Sequence, residues 1–468
     1  MKKNAAISDP EEISPTDPAE GSPVDMIFVK KHIHEDPSSL RLKYLSRKFE
    51  DPAERECYEA SILQIECRQR YDRKFPGLLS TFPDFIFPAR LAGEQASHLW
   101  ISRLHAITAS RYYDRDIDVC HRLVDLTAGL GIDFMSIASS LSSSGERCTA
   151  IELDKGKASA LRVNLEAAGL PNASILNCDS MKWVKDLPSG KAGIIFADPA
   201  RRGDDDGRIY DPRECLPDIV GIWQELLDKA HLLIIKNSPM LDVDMAVKTF
   251  PGAIRIIVAS VKNECKEILV VARKGGSLEG IDCINILGGN RNVISGQQIS
   301  SLAHGADLWN DMELRSESIS IPACMSDSSI REIPLADESD LAAIEGDDGL
   351  YLYEPNSSVM KVMPWRFIVN RFAGMKKLSP NCHLFVSDHY HADFPGRRMR
   401  LMRRLDKEGR KGLKGGRLNI VTRNYPCSPE KLSCELRIKS GGKDFLYGAT
   451  IGSADSPLLL LASPCQQG

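Results

Sequence analysis

Four acidic residues stand at the ends of short apolar runs in this chain: Asp125, Glu152, Asp179 and Asp198. A carboxylate accepts several hydrogen bonds and offsets positive charge, so acids spaced along one edge can hold the hydroxyls and amines of a single ligand. A glycine loop accompanies the first of them, in Leu123-Val124-Asp125-Leu126-Thr127-Ala128-Gly129-Leu130-Gly131-Ile132-Asp133. Each acid taken singly is an ordinary turn residue. The four in register with the loop describe a nucleoside-containing cofactor lying across the carboxyl edge of a parallel sheet.

Leu123 to Leu126 reads as a strand buried on both faces. Gly129 and Gly131 follow, and Ile132 to Leu141 has helical spacing. Strand, glycine turn and helix let backbone approach a ligand closely, because glycine lacks a Cβ and tolerates positive φ. The next apolar run, Cys148 to Ile151, ends in Glu152, 27 residues beyond Asp125. An acid there can accept from both ribose hydroxyls, which would suit NAD equally well. The third run ends in Cys178-Asp179-Ser180, placing a carboxylate near an adenine amino group. The fourth, Gly193 to Ala197, stops at Asp198-Pro199-Ala200-Arg201-Arg202, since proline cannot continue a central ladder. The substrate end of the pocket is expected beside it.

On these motifs residues 116–276 resemble a class I S-adenosylmethionine-dependent methyltransferase. The resemblance implies that Asp125 holds the methionine amino group, Glu152 the ribose and Asp179 the adenine amine. Thr127, Ala128, Gly129, Gly131, Leu153 and Ser180 complete the implied cofactor set. Asp198, Pro199 and Arg201 become the implied catalytic positions. The loop departs mildly from the family's three glycines, with Asp133 where the third is often found.

The elements that must position these residues follow from the rest of the chain. At 468 residues it exceeds one hydrophobic core and should hold two or three domains. The expected architecture is α/β: a Rossmann-like doubly wound core at 116–276, an N-terminal helical region at 26–115 and a C-terminal α+β part. Residues 1–25, rich in Pro, Ser, Asp and Glu, read as a disordered tail. In the helical region Leu40, Leu42, Leu45 and Phe49 make one apolar stripe. A later helix holds Glu94-Gln95-Ala96-Ser97, in which Gln95 and Ser97 either touch the cofactor or cap the helix. The fifth core strand, His231 to Ile235, ends at Lys236-Asn237-Ser238-Pro239. Ala253 to Ser260 and Glu267 to Ala272 read as a closing antiparallel pair.

The last part carries Tyr353-Glu354-Pro355-Asn356, Phe394-Pro395-Gly396-Arg397 and Arg423-Asn424-Tyr425-Pro426. These resemble bacterial methyltransferases with a ferredoxin-like piece, expected at 277–350, and a THUMP-like RNA-binding domain, expected at 351–468. Charge agrees with such a partner. Between Arg397 and Lys443 there are 15 Lys/Arg and four acids, leaving 45 basic and 60 acidic residues elsewhere. A basic segment on an acidic body is a footprint of polyanion binding, although a solvated basic helical face gives the same count. Arg202, Lys236, Arg397, Arg398 and Arg423 are the residues expected to contact RNA, tRNA being the expected class. Arg201 and Arg202 could instead pair with Asp204, Asp205 or Asp206.

Composition excludes other classes. No apolar run approaches the roughly 18–20 residues of a membrane helix, and no secretory h-region follows Met1-Lys2-Lys3. The 13 cysteines are odd in number and scattered, without a Cys-x-x-Cys pair, which points to free thiols, a reducing cytoplasm and no zinc site. His389 and His391 have no cysteine partner at ligand spacing and read as surface histidines. For the reaction, Asp198-Pro199 suits methylation of a base nitrogen. Uracil carbon-5 chemistry would need a cysteine nucleophile where Lys236-Asn237-Ser238-Pro239 stands, and serine replaces a thiolate poorly. Two alternatives stay open: an RNA-binding protein with a non-catalytic pocket, and a small-molecule methyltransferase whose C-terminal domain serves oligomerisation.

Overall fold

The computed structural model describes residues 11–12, 24–201, 210–291, 312–323, 332–345 and 349–465. The expected tail thus falls largely outside the described residues. The chain forms two compact units: residues 1–256, 267–278 and 288–315, and residues 257–266, 279–287 and 316–468.

The first unit is α/β. Its strands are β1 (His121–Asp125), β2 (Cys148–Ile151), β3 (Ser174–Asn177), β4 (Ala192–Ala197) and β5 (Ala230–Asn237), with residues 253–256 of β6 (Ala253–Val261) and 267–272 of β7 (Glu264–Ala272). Through them the sheet order is β3-β2-β1-β4-β5-β7-β6. β1 pairs in parallel with both β2 and β4, and β5 in parallel with β4. β7 is antiparallel to β5, and β6 and β7, the expected closing pair, are neighbours in the sheet. Every residue of β4 is buried, the expected state of an aliphatic strand covered on both faces. The direction of winding reverses at β1, so the crevice beyond the carboxyl ends of β1 and β4 is the place where such sheets bind ligands.

Ahead of the sheet come helices α1 (Met26–His32), α2 (Pro37–Leu45) and α3 (Pro52–Tyr71), each N-capped by an aspartate, Asp25, Asp36 and Asp51. Leu40 is buried beneath them, but Leu42 is 74% exposed and leaves the expected stripe. The long α2–α3 region turns back through Phe85-Ile86-Phe87. That segment has no ladder partners, and side-chain amides satisfy it instead. Gln64 bonds both the N–H and the carbonyl of Phe87, and Asn164 does the same for Ile86. Asn164 also donates to the Leu130 carbonyl in the glycine loop. Helix α4 (Leu99–Tyr112) follows, with Leu99, Ile101, Leu104, His105, Thr108 and Ala109 on its buried face.

In the second unit a mixed sheet contains β8 (Tyr351–Pro355), β9 (Phe385–Ser387), β10 (Gly396–Arg404), β11 (Arg417–Thr422), β12 (Lys439–Ile451) and β13 (Ser456–Pro464). Among them the order is β9-β8-β10-β13-β12-β11, with β11–β12 the parallel pair. Both faces carry a core, one around Leu352, Met399, Tyr447 and Leu460, the other around Tyr353, Phe372, Phe385 and Phe394. The helix expected after Ser428 forms at Pro429–Leu436, and Ser428 caps it. Among the described residues no helix is long and apolar enough to cross a membrane, no group of His, Cys, Asp and Glu could hold a metal, and the cysteines are free thiols.

Candidate functional site

The glycine loop leaves β1 and enters helix α5 (Ile132–Leu141) with Gly131 in the left-handed region, φ +85°. A Cβ on Gly131 would meet Leu161 Cδ1 at 2.4 Å, so this glycine is required for packing on helix α6 (Lys155–Ala167). Gly129 differs. Its φ is +53°, and the nearest atom to a Cβ there is Thr127 O at 3.8 Å, which leaves its face open for a ligand's close approach.

Each expected cofactor acid lies at or just past a strand end. Asp125 is buried, and its Oδ1 accepts from the Thr127 N–H at 2.9 Å. Burial holds the Asp125 carboxyl well above the ordinary carboxylate range, Thr127 opposing the shift and the charges of Asp133 and Asp198 adding to it. Glu152 accepts from the Gly129 N–H through Oε2 and from the Asp154 N–H through Oε1, both at 2.9 Å. A carboxylate has about four lone-pair positions, so this anchoring leaves acceptor capacity for two hydroxyls. Leu153, next in the chain, is a largely exposed apolar residue, 68% open to solvent. Asp179 caps helix α7 (Ser180–Asp186) by accepting from the Met181 N–H, and Ser180 is buried beside it. Ala128 is buried within the loop.

Asp198 follows β4. Its N–H donates to Thr127 Oγ1 at 2.8 Å, which ties the end of β4 to the glycine loop. Its Oδ2 accepts from Lys236 Nζ at 2.5 Å. Pro199 is buried, and Ala200–Arg201 pairs antiparallel with Cys215–Leu216. Arg202 and Asp204 to Asp206 lie outside the described residues, as does the Arg201 side chain.

The structure adds a cluster that the spacing of motifs did not reveal. Lys236 Nζ also donates to Ser97 Oγ at 3.0 Å, and that hydroxyl donates to Asp133 Oδ2 at 2.6 Å. Asp133 Oδ1 faces His105 Nδ1 at 2.8 Å, and His105 Nε2 faces Glu267 Oε1 at 2.6 Å. Ser97 therefore does not cap a helix, one of the two roles expected for it, while Gln95 is exposed at the end of its helix. Burial pulls the His105 pKa down, but Glu267 and Asp133 outweigh it and raise the ring to about 10. Asp133 is correspondingly lowered: burial raises it, and His105 and Lys236 more than compensate. For Asp198 burial dominates and raises the carboxyl despite Lys236. Two signals in sequence pointed here: a lone histidine on the apolar face of α4, and an acid opening the aliphatic run Glu267 to Ala272. Neither says what it meets.

In the second unit Arg397 and Arg423 converge on one buried acid. Glu354 accepts from Arg397 Nη1 at 3.0 Å, from Arg423 Nη2 at 2.5 Å and from the Tyr447 hydroxyl at 3.1 Å. Both guanidiniums remain nearly half exposed. Arg398 donates to the Ala392 carbonyl.

Comparison with known proteins bears on both units. The family model of a ferredoxin-like domain matches residues 351–395, and that of a THUMP-like domain matches residues 401–464. The C-terminal part carries both domains. Sequence had placed the ferredoxin-like region at 277–350 and the THUMP-like domain at 351–468. Among solved structures, a proposed methyltransferase from Porphyromonas gingivalis W83 is 24% identical, with a TM-score of 0.70 over 94% of this chain and 97% of that one. The two share a fold. A SAM-dependent methyltransferase from Agrobacterium tumefaciens is 16% identical, with a TM-score of 0.29 over 38% of this chain and 63% of that one, an overlap too small to argue from. No curated protein matches the sequence.

Proposed function

We infer that the chain is an S-adenosylmethionine-dependent methyltransferase that acts on RNA, with tRNA as the substrate class, and that it methylates a base nitrogen presented at Asp198-Pro199. The observation that carries this reading is the row of acids at the carboxyl ends of adjacent strands, Asp125, Glu152, Asp179 and Asp198, around a glycine loop with an open face at Gly129. The residues present fit the cofactor. Glu152 has acceptor capacity for ribose, Leu153 offers an exposed apolar surface to adenine, and a bound ammonium would favour the ionised form of Asp125, which burial otherwise disfavours.

Bound there, the cofactor supplies an electrophilic methyl group. The chain's own contribution is to orient and desolvate the acceptor, because methyl transfer is a single in-line displacement. Asp198 is placed to accept a hydrogen bond from the attacking amine and so to aim its lone pair. The THUMP-like match and the basic segment after Arg397 support a structured RNA as the partner, and an RNA substrate together with the free thiols fits a cytoplasmic enzyme.

Mass spectrometry of nucleosides from wild-type and deletion-strain tRNA is the decisive test. One methylated nucleoside should be missing from the deletion strain, restored by the wild-type gene and not by Asp198→Asn. Identical nucleoside profiles in the two strains would sink the reading.

A further inference from the structure

The sequence pattern suggested Lys236 as an RNA contact, yet its surroundings make it a poor one. Its side chain is only 14% exposed, and its ammonium already donates to Asp198 and Ser97. A phosphate ligand needs an accessible ammonium with free donors. What Lys236 does instead is follow a rule of alternation. Starting from the half-buried Asp198 and ending at the fully buried His105 and Glu267, the groups run carboxylate, ammonium, hydroxyl, carboxylate, imidazole, carboxylate: Asp198, Lys236, Ser97, Asp133, His105, Glu267. The imidazole lies between two carboxylates and the ammonium between a carboxylate and the hydroxyl, which accepts from Lys236 while donating to Asp133. Such a chain has a single low-energy arrangement, because reversing any donor would set like groups face to face.

We propose that Lys236 is a positioning residue, fixed by the Ser97–Asp133–His105–Glu267 chain, that keeps Asp198 ionised and aimed as the acceptor for the proton-bearing nitrogen of the substrate. The inference rests on the methyltransferase reading given above. In the step it serves, the nitrogen attacks the methyl carbon and an N–C bond forms. The S–C bond breaks with its electron pair remaining on sulfur. The proton that the nitrogen loses passes to Asp198. Without a fixed cation, the half-buried Asp198 would be left among the carboxyl groups of Asp133, Glu267 and Asp125, whose charges disfavour its ionised form. Among the described residues Lys236 is the cation that faces it.

The test uses the full chain, methyl-tritiated S-adenosylmethionine and total RNA from a deletion strain. Lys236→Met is expected to lower kcat by about a hundredfold, the usual size of an acid–base contribution, with KM for RNA near the wild-type value. The acidic limb of its pH–rate profile should move to higher pH, because removing the ammonium raises Asp198, and Lys236→Arg should restore part of the rate. A raised KM with kcat intact would make Lys236 a phosphate contact and overturn the proposal. Should Lys236→Met fail to fold, Ser97→Ala removes a single hydroxyl and must move the acidic limb the same way; an unmoved limb also overturns it. If the wild type methylates no RNA, the failure belongs to the proposed function. The positioning role is then decided by carbon-13 NMR titration of Asp198 in wild-type and Lys236→Met protein, where equal midpoints would refute it.

Discussion

His105 and Glu267 stand 162 positions apart in the chain and meet at 2.6 Å through Nε2 and Oε1. The histidine belongs to helix α4 and the glutamate to strand β7, so this contact holds the helical region against the sheet through a charged pair instead of an apolar one. Both side chains are fully buried, and Asp133 takes the ring's other nitrogen. A neutral imidazole could satisfy only one of these two carboxylates as a donor, whereas the imidazolium satisfies both. Removing the histidine would leave two buried carboxylates facing an empty space, the costly way to break a buried ionic cluster.

The ordinary value for histidine is 6.5, and His105 is raised to about 10, so the folded state binds a proton that the unfolded state releases. The stabilisation from His105 is therefore full below pH 6.5 and declines as pH rises toward 10. With one proton more in the folded state the slope approaches about −1.4 kcal/mol per pH unit across that window. Urea unfolding of wild type and His105→Gln at a series of pH values checks this. The stability difference should be largest near pH 6 and shrink steadily toward pH 10; a difference independent of pH would show that the ring is not charged.

The two loop glycines should respond differently to alanine. Both are left-handed, a strain of about 1–2 kcal/mol for a residue with a Cβ. Gly131→Ala adds a clash with Leu161 Cδ1, worth about 1–3 kcal/mol more in a packed interior. Denaturant unfolding should rank Gly131→Ala as the more destabilising. Adding Leu161→Ala should cost less in the Gly131→Ala background than alone, a favourable coupling in a double-mutant cycle.

Much of the core was legible because strands buried on both faces declare themselves as aliphatic runs and because glycine and proline punctuate them. Leu123 to Gly131 and Ile194 to Pro199 are of this kind. The closing strands, read as Ala253 to Ser260 and Glu267 to Ala272, were legible for the same reason and run to Val261 and from Glu264. The His105–Asp133–Glu267 cluster was not, since hydrogen-bond partners from α4, α5 and β7 share no local period. Asp133 looked like a missing glycine, while its actual role is to join Ser97 to His105. Leu42 shows the converse failure: an apolar residue between Leu40 and Leu45 in sequence turns outward, because α2 packs only one narrow stripe on α3.

Leu153 offers a direct check on the cofactor site. It is 68% exposed, so replacing it changes little in the free protein. Covered by an adenine ring it would contribute about 1.4 kcal/mol, a tenfold factor in affinity. Leu153→Ser should weaken S-adenosylmethionine binding by about that factor in calorimetric titration while leaving Tm unchanged. Equal affinities would place the adenine elsewhere.

The Glu354 cluster separates a structural role for Arg397 and Arg423 from a role in binding. Glu354 is 5% exposed and pairs with both guanidiniums, which are 46% and 42% exposed. Breaking a fully buried pair costs roughly 3–5 kcal/mol, but solvent screening of the arginines reduces this, so Glu354→Ala is expected to lose about 2 kcal/mol. Stability alone therefore cannot tell what the arginines face on their open sides. Salt dependence can. Each phosphate neutralised by a cation contributes about 0.7–0.9 to the slope of log K against log salt. If Arg397 grips RNA with the donors that Glu354 leaves free, Arg397→Gln should lower the slope for tRNA binding by nearly one contact. The same should hold for Arg423→Gln, and the double variant should lose both. An arginine that serves only as a counter-ion for Glu354 would reduce stability in these variants and leave the slope where it was.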